Sequence, residues 1–337
     1  MPPAPWLSSD HRERRGHASR RRRYRSPSRA THAQSIYYGA MTTGIASANG
    51  IEIFYETFGR PVDPALLLVM GFTAQMIVWP DEFCQRLADR GVHVIRFDNR
   101  DCGLSTHLDG VAVDLPAAMA AQATGSPITN APYTLSTFSD DAFGLLDALG
   151  ITSAHIVGAS MGGMIVQTMA IEHPDRVLSM TSIMSTTGER PYFESSKEAS
   201  AALLSPPPSG REEYIERSRV NGKIFGSKKY FDSDRAAELS ARAYDRAFYP
   251  EGIGRQFVAI GASGDRAEGL RQLKVPTLVI HGRDDELIMP SGGLRTGELV
   301  PGSALLLVSD MGHDMPEPLW PLLVDSIASH ASRSANG

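Results

Sequence analysis

The sequence predicts an α/β fold, with a doubly wound, mostly parallel sheet and an inserted helical cap. Continuous apolar runs, such as residues 65–70 and 275–281, have the length and character of strands covered on both faces. Segments with helical spacing alternate with these runs, which is the pattern of parallel α/β sheets. Residues 188–264 interrupt the alternation with charges, three consecutive prolines and helical patterns that lack a strand signal. We therefore expect a core built from residues 41–187 and 265–337, with residues 188–264 as the cap segment.

The first 40 residues differ in character from the rest of the chain. They hold nine arginines against Asp10 and Glu13, a net charge of +7, which leaves −12 on residues 41–337 of a chain at −5 overall. This extension has no apolar periodicity and cannot build a core, so we expect it to be disordered. Because Met41 is followed directly by foldable sequence, we interpret residues 1–40 as an upstream extension outside the working protein. An organelle-targeting peptide and a nucleic-acid-binding arm are the alternatives.

The predicted elements follow one another from residue 45 onwards. Two short strands flank Asn49-Gly50, a strong signal for a two-residue hairpin turn. The other strands are expected over residues 65–70, 92–97, around Ile156, 177–184, 275–281 and 304–308. Helices are expected over residues 81–90, 136–149, 162–172, 292–299 and 318–332, and within the cap segment over 197–204, 211–220 and 234–249.

One hydroxyl lies at the tip of a predicted strand, sharp turn and helix. The sequence Gly158-Ala159-Ser160-Met161-Gly162 follows the strand around Ile156 and precedes a helical pattern. Glycines two positions before and after Ser160 allow a tight turn and a close approach of strand and helix. Unpaired N–H groups at the start of that helix can receive an oxyanion. The pentapeptide alone is a weak signal, so a base and an acid must be found elsewhere.

Candidates for the base and the acid follow the last two predicted strands. Active groups of open parallel sheets gather beyond the carboxyl ends of strands. Asp284, Asp285 and Glu286 follow the strand over 275–281, and His313 follows the final strand. A serine hydroxyl needs a neighbouring base, and the pKa of histidine suits that role near neutral pH. The chain order of serine, acid and histidine is the order found with a nucleophile elbow.

The chain from about Asn49 to His330 resembles an α/β-hydrolase fold protein, which implies an eight-stranded sheet. The motifs that carry the resemblance are the elbow at 158–163, His281-Gly282-Arg283-Asp284-Asp285 and Met311-Gly312-His313. Residues 96–105 also resemble the family's loop after its fourth strand. The segments 70–72, 79–83, 249–252 and 263–266 are similar to the aclacinomycin methylesterase-like and mycobacterial lipase/esterase-like serine hydrolases.

The resemblance implies a catalytic triad and an oxyanion hole. Ser160 is the implied nucleophile, His313 the base and Asp285 the orienting acid, since the family pattern His-Gly-x-x-Asp ends at Asp285 and not at Asp284. The backbone N–H groups of Phe72 and Met161 are the implied oxyanion hole. The implied activity is hydrolysis of carboxylic esters of a small or medium apolar substrate through an acyl-enzyme. A C–C hydrolase, thioesterase, lactonase or perhydrolase on the same triad, or a non-catalytic ligand receptor, are the alternatives.

Other features limit the cofactors and partners that we expect. No apolar run approaches the 18 residues needed to span a bilayer, and no secretory signal is present, so we expect a cytoplasmic protein. Cys84 and Cys102 are too few for a disulfide framework and are expected to be buried, inert thiols. No motif predicts a metal, a cofactor or a nucleic-acid partner, and the oligomeric state stays open. Asp98 and Arg100 are expected to brace their loop by pairing, whereas His155 and His281 are expected to have structural roles.

Overall fold

The computed structural model describes residues 41–334, so the predicted disorder of residues 1–40 lies outside the described residues. Within the described chain, eight strands form one sheet in the order β1-β2-β4-β3-β5-β6-β7-β8. Strand β2 is antiparallel to both β1 and β4, and every other neighbouring pair is parallel. The predicted fold class is therefore confirmed. The strands are Thr42–Ala48, Ile51–Phe58, Ala65–Val69, His93–Phe97, Ala154–Ala159, Val177–Ile183, Thr277–Gly282 and Ala304–Val308.

Helices cover both faces of this sheet. Side chains of β3 alternate between two buried clusters, with Leu66 and Leu68 in one and Leu67 and Val69 in the other. The first cluster includes residues of α1 and α11, and the second includes residues of α3, α4, α9 and α10. Both faces of the strand are buried, which explains its unbroken apolar run. The helices α1 to α11 are Asp81–Ala88, Leu115–Thr124, Leu135–Ala148, Met161–Glu172, Lys197–Leu203, Arg211–Phe225, Ser233–Arg246, Glu251–Ala262, Ala267–Gln272, Pro290–Leu299 and Trp320–Ser334.

The turn between β1 and β2 has the predicted form. Asn49 and Gly50 have φ angles of 47° and 77°, and Ala48 pairs with Ile51 across the turn. Positive φ at both central residues gives the two-residue turn that matches the twist of a hairpin, and Asn and Gly adopt it most readily.

Helices α5 to α9 lie between β6 and β7 along the chain, and the prediction for two of them was wrong. The helix expected over residues 234–249 is shorter, because α7 ends at Arg246, and helix α8, which begins at Glu251 directly after Pro250, was not predicted. Proline has no backbone N–H to donate and is disfavoured inside a helix, so a new helix begins there.

Helix α2 was not predicted from the sequence. Its alanine-rich stretch buries only Ala118 among its own residues, and it therefore shows no apolar periodicity. The signals that mark it are at its ends: Asp114 accepts a hydrogen bond from Ala117 N–H, and Gly125 ends the helix in the left-handed conformation.

Candidate active site

Ser160 occupies a strained backbone position between β5 and α4. Its φ and ψ angles are 57° and −121°, a region that residues with a side chain rarely adopt. Two hydrogen bonds hold it there: its N–H donates to the carbonyl oxygen of Ile183 at 2.9 Å, and its own carbonyl accepts from Ser185 Oγ at 2.8 Å. The surrounding structure thus maintains a conformation that costs free energy, as is common at functional sites.

The glycines on either side of Ser160 are required by close backbone contacts. A Cβ atom added at Gly158 would lie 2.0 Å from the carbonyl oxygen of Gly162, and one added at Gly162 would lie 2.1 Å from that of Val69. Backbone atoms cannot yield in the way that a flexible side chain can. The two glycines therefore permit the close packing of α4 against β3 and β5 that presents Ser160.

His313 contacts both Ser160 and Asp285. Its Nε2 lies 2.9 Å from Ser160 Oγ, and its Nδ1 lies 2.8 Å from Asp285 Oδ2. An ionised carboxylate only accepts hydrogen bonds, so Nδ1 must donate to Asp285. In the neutral imidazole, Nε2 is then the acceptor for the Ser160 hydroxyl. The backbone N–H of His313 donates to the carbonyl of Phe225, which fixes the loop from the end of α6.

Asp285 is a buried carboxylate with several hydrogen-bond donors around it. Its Oδ1 accepts from the N–H groups of Leu287 and Ile288 at 2.9 and 3.0 Å, and His281 Nε2 lies 3.4 Å from Oδ2. Burial acts to raise the pKa of Asp285, but the charge of His313 and the hydrogen bonds from His281 and His313 outweigh it and lower the pKa to about 2. The group is therefore a carboxylate at neutral pH.

The other acidic residues of these loops point to different partners. Asp284 is exposed, and the structure gives it no contact with the His313 ring. Asp310 pairs with Lys229 at 2.8 Å, and Asp314 accepts from the backbone N–H of Ser227 at 2.9 Å. Of the candidates considered from sequence, the structure thus brings only Asp285 to the imidazole.

Two backbone N–H groups, next to Gly71 and Ser160 in the chain, have no protein partner in the part of the protein that the structure describes. Among residues 41–334, no hydrogen bond to a protein group is found for the N–H of Phe72 or of Met161. Gly71 lies against the serine, because a Cβ atom added to it would be 3.4 Å from Ser160 Oγ. Phe72 follows Gly71, and Met161 is the first residue of α4. Each N–H group thus belongs to a residue that directly follows Gly71 or Ser160, and no protein group of the described chain accepts from it.

Asp98 and Arg100 do pair, but not with each other as the sequence suggested. Asp98 accepts from Arg246 of α7 at 2.7 Å, whereas Arg100 donates to both carboxylate oxygens of Asp141 in α3 at 2.5 and 2.6 Å. The partners lie far along the chain, so the sequence pattern could show the charges and not their pairing. The loop after β4 is thus tied to two separate helices.

A third buried pair in the same loop was missed from sequence. Asp101 accepts two hydrogen bonds from Arg255 of α8 and one from the Tyr133 hydroxyl, at 2.8, 2.8 and 2.7 Å. The Asp101 carboxylate and the Arg255 side chain are almost fully buried, at 0% and 4% exposure. Asp101 also has a positive φ of 60°. This pair connects α8 to the loop after β4.

The remaining candidate residues have structural surroundings. His155 contacts Ser179 Oγ at 2.8 Å through Nδ1, and His281 contacts the carbonyl of Ile288 at 2.8 Å through Nε2, so both make the internal contacts that we expected. Cys84 and Cys102 are unpaired and buried, and burial raises the pKa of Cys84 to about 12. Over residues 41–334, no helix is both long and apolar enough to cross a bilayer.

A sequence model of the α/β-hydrolase fold family matches residues 64–317, a range that contains Ser160, Asp285 and His313. The chain belongs to this family. The membership predicted from the elbow and from the acid and base loops is confirmed, and the chain is a hydrolase. The match begins just before β3 and ends just after the loop that carries His313.

Individual relatives include one enzyme named a methylesterase and one named a semialdehyde hydrolase. The chain is 28% identical to rhodomycin D methylesterase from a Streptomyces species over 313 residues, covering 86% of this chain and 98% of the esterase. It is 30% identical to 2-hydroxymuconate semialdehyde hydrolase from Pseudomonas putida over 186 residues, covering 54% and 63% of the two chains.

A solved structure shows the same fold. The meta-cleavage product hydrolase from Pseudomonas fluorescens has a TM-score of 0.68 at 20% identity, covering 86% of this chain and 98% of that one. At that identity, the likeness supports the architecture alone.

Proposed function

We propose that the chain is a serine esterase that cleaves carboxylic esters of a small or medium apolar substrate through an acyl-enzyme. The observation that carries the proposal is the hydrogen-bonded line from Ser160 Oγ through both ring nitrogens of His313 to Asp285, at 2.9 and 2.8 Å. In this line Ser160 is the nucleophile, His313 the general base and acid, and Asp285 the group that fixes the imidazole tautomer.

The proposed reaction has two half-reactions. Ser160 Oγ attacks the ester carbonyl carbon while His313 Nε2 takes the hydroxyl proton, which gives a tetrahedral intermediate. The bond from that carbon to the alkoxy oxygen then breaks, and His313 returns the proton to the departing alcohol. Water next attacks the acyl carbon and loses a proton to Nε2. The carboxylic acid leaves as the proton returns to Ser160 Oγ, which restores the starting state.

Negative charge develops on the carbonyl oxygen of the substrate during both attacks, and this oxyanion needs stabilisation. The N–H groups of Phe72 and Met161 are the proposed donors to the oxyanion, because these residues directly follow Gly71, which lies against Ser160, and Ser160 itself, and because no protein group accepts from them in the described chain. Preorganised donors of this kind stabilise the transition state by several kcal/mol, and the loss of one lowers kcat by a factor on the order of 10²–10³. Asp285, with its pKa lowered to about 2, stabilises the imidazolium that forms on His313.

Half-buried aromatic side chains flank the proposed site and favour an apolar substrate. Phe72 contacts Phe257 of α8 edge-on, with ring centroids 6.5 Å apart. Phe225 is half-buried, and its carbonyl accepts from the N–H of His313, the residue that contacts Ser160 Oγ. Apolar walls with few polar groups are typical of small-molecule sites. The similarity to rhodomycin D methylesterase, over 86% of this chain, further favours a methyl ester.

Hydrolysis of a carbon–carbon bond next to a ketone is the second candidate, because a relative at 30% identity is named 2-hydroxymuconate semialdehyde hydrolase. The same serine would attack a ketone carbonyl, but a carbon would leave and would need a proton. That similarity covers 54% of this chain, against 86% for the methylesterase, so we prefer the ester reaction.

A substrate panel tests the proposal and separates the two candidates. Methyl esters and nitrophenyl esters of apolar acids, a thioester, a lactone and a vinylogous 1,5-diketone would be offered to the wild type, Ser160→Ala and the control Ser136→Ala. Ser136 contacts Glu172, away from the proposed site. We expect the ester to be the best substrate by kcat/KM and Ser160→Ala to be inactive. Preferred cleavage of the diketone would replace the esterase proposal by the second candidate.

A further inference from the structure

The loop that carries the Phe72 N–H contains a strained residue. Thr73 has a φ of 58°, although its side chain is β-branched and exposed. Such a residue is uncommon at positive φ, and the conformation persists only where the surroundings enforce it. Within residues 41–334, the Thr73 hydroxyl makes no hydrogen bond to a protein group, whereas its N–H and carbonyl both do. The direction of the Phe72 N–H therefore depends on contacts made by the loop backbone.

One of these contacts comes from α8 in the cap segment. Gln256 is buried, with 1% of its surface exposed. Its Oε1 accepts a hydrogen bond from the Thr73 N–H at 2.8 Å, and its Nε2 donates to the carbonyl of Arg100 at 2.9 Å. A backbone N–H can only donate and a carbonyl can only accept, so these two partners fix which way the amide group points. Gln256 thereby connects the Thr73 amide to the loop after β4.

A second glutamine fastens the other end of the same loop to α7. Gln75 donates from Nε2 to the carbonyls of Ala243 and Ala247, both at 2.7 Å, and its Oε1 accepts from Arg246 at 2.8 Å. The cap segment therefore holds the loop at Thr73 and at Gln75. Phe72 lies between Gly71 and Thr73 in the chain, and its N–H has no protein partner in the described residues.

We propose that Gln256 is a positioning residue for the oxyanion hole, which acts through the Thr73 amide to aim the Phe72 N–H at the developing oxyanion. The inference rests on the proposed esterase function. It makes the cap segment part of the machinery for transition-state stabilisation and not only a cover for the substrate. Because the oxyanion forms only in the transition state, loss of Gln256 lowers kcat and leaves KM nearly unchanged.

The test is the isosteric substitution Gln256→Met, which removes both hydrogen bonds of the side chain. The matched control is Tyr249→Phe, which removes hydrogen bonds to Asp109 and Arg255 just before α8 but does not touch the loop over residues 71–76. Active sites would be counted by the stoichiometry of fluorophosphonate labelling, so that misfolded protein does not enter kcat. An arylboronic acid, which adds to the serine to give a tetrahedral adduct, would report on oxyanion binding.

For Gln256→Met, we expect kcat per active site to fall at least about tenfold, KM to change less than about twofold, and boronate affinity to fall by a factor similar to that for kcat. For Tyr249→Phe, all three quantities stay within about twofold of the wild type. Gln75→Met removes the hydrogen bonds between the loop and α7, and we expect it to show the same changes in kcat, KM and boronate affinity as Gln256→Met. If Gln256→Met does not fold, the result for Gln75→Met tests whether the cap segment positions the loop.

Two results would overturn the inference. The first is wild-type kcat per active site in a folded Gln256→Met or, failing that, in Gln75→Met. The second is a loss of kcat with unchanged boronate affinity, which would show a structural effect on some other step. Failure of the esterase proposal itself has a different signature, since the wild type would then prefer the diketone to the ester, or Ser160→Ala would hydrolyse the ester at the wild-type rate.

Discussion

Gly158 and Gly162 are in backbone contact across the turn that presents Ser160, so that a Cβ atom on Gly158 would lie 2.0 Å from the Gly162 carbonyl oxygen. The contact brings the end of β5 against the first turn of α4, with Ser160 at φ 57° between them. There is no room for a side chain at either glycine. Glycine at both positions therefore allows β5 and α4 to pack closely, and the tight turn between them presents the Ser160 hydroxyl to its partners.

Gly158→Ala tests this contact. We expect it to lower the free energy of unfolding by about 3 kcal/mol, or to prevent folding, because the added methyl group meets backbone atoms. Thermal and urea unfolding measure the change. The matched control is Gly297→Ala in α10, where a Cβ atom would meet Leu305 at an ordinary 3.6 Å. In a helix interior that exchange is neutral or stabilising, by up to about 1 kcal/mol. Equal stability of the two variants would contradict the close contact.

Asp285→Asn tests the buried carboxylate through both activity and pH. The amide cannot accept from Nδ1 as a charged group does, so we expect kcat to fall by a factor on the order of 10³–10⁴. The folded pKa of Asp285, about 2, lies below the usual 3.8. Its carboxylate therefore stabilises the folded state above about pH 4, and this contribution is lost as the pH falls towards 2.

The pH dependence of unfolding provides the second readout for this variant. Between pH 4 and pH 2, the wild type should lose its advantage over Asp285→Asn, so that the two unfolding curves converge. A gap between the curves that does not change over that range would show that the folded-state pKa of Asp285 is not lowered.

Local backbone chemistry made part of this molecule predictable from sequence. Asn49-Gly50 specified its hairpin, and the glycines around Ser160 specified a turn, because each motif acts through its own φ angles and close contacts. The loops of Asp285 and His313 could be located because each directly follows an apolar strand. Each of these features depends on local sequence alone, so it could be predicted without knowing which distant residues would be in contact.

Contacts between distant segments were beyond the sequence. Asp98 and Arg100 were recognisable as a charged pair of residues, yet their partners, Arg246 and Asp141, are separated from them by 148 and 41 positions. The role of Gln256 could not be predicted from sequence, because a glutamine in a helix is common and its hydrogen bonds to the backbone of Thr73 and Arg100 are visible only in the structure. Tertiary contacts of this kind follow from the packing of the cap segment, which local patterns do not determine.

Asp101→Asn tests how firmly the cap segment is fastened. It leaves the buried guanidinium of Arg255 without its carboxylate, which costs about 3–5 kcal/mol when such a pair is broken. Thermal unfolding with limited proteolysis between α5 and α8 would measure the loss. The control is Asp245→Asn, which breaks an exposed pair with Arg211 in the same segment and should have a much smaller effect. Similar losses in both variants would contradict the role of burial.

His155→Asn tests the acid sensitivity of the core. Burial, together with the nearby charge of His330, lowers the pKa of His155 from 6.5 to about 4. The unfolded chain therefore binds a proton that the folded chain does not, and stability falls as the pH drops from about 6.5 to about 4, by up to about 3 kcal/mol. The variant should show a flatter dependence of unfolding free energy over that range. An identical slope in wild type and variant would show that His155 titrates normally.

Covalent labelling of Ser160 is the most direct test of the proposed chemistry. The wild type, Ser160→Ala and His313→Gln would be treated with a fluorophosphonate, and the modified residue would be located by mass spectrometry of peptides. We expect one phosphonate per wild-type chain, attached to Ser160, together with a much lower labelling rate in His313→Gln and no adduct in Ser160→Ala. Attachment to another residue, or ester hydrolysis by Ser160→Ala at the wild-type rate, would contradict the proposed chemistry.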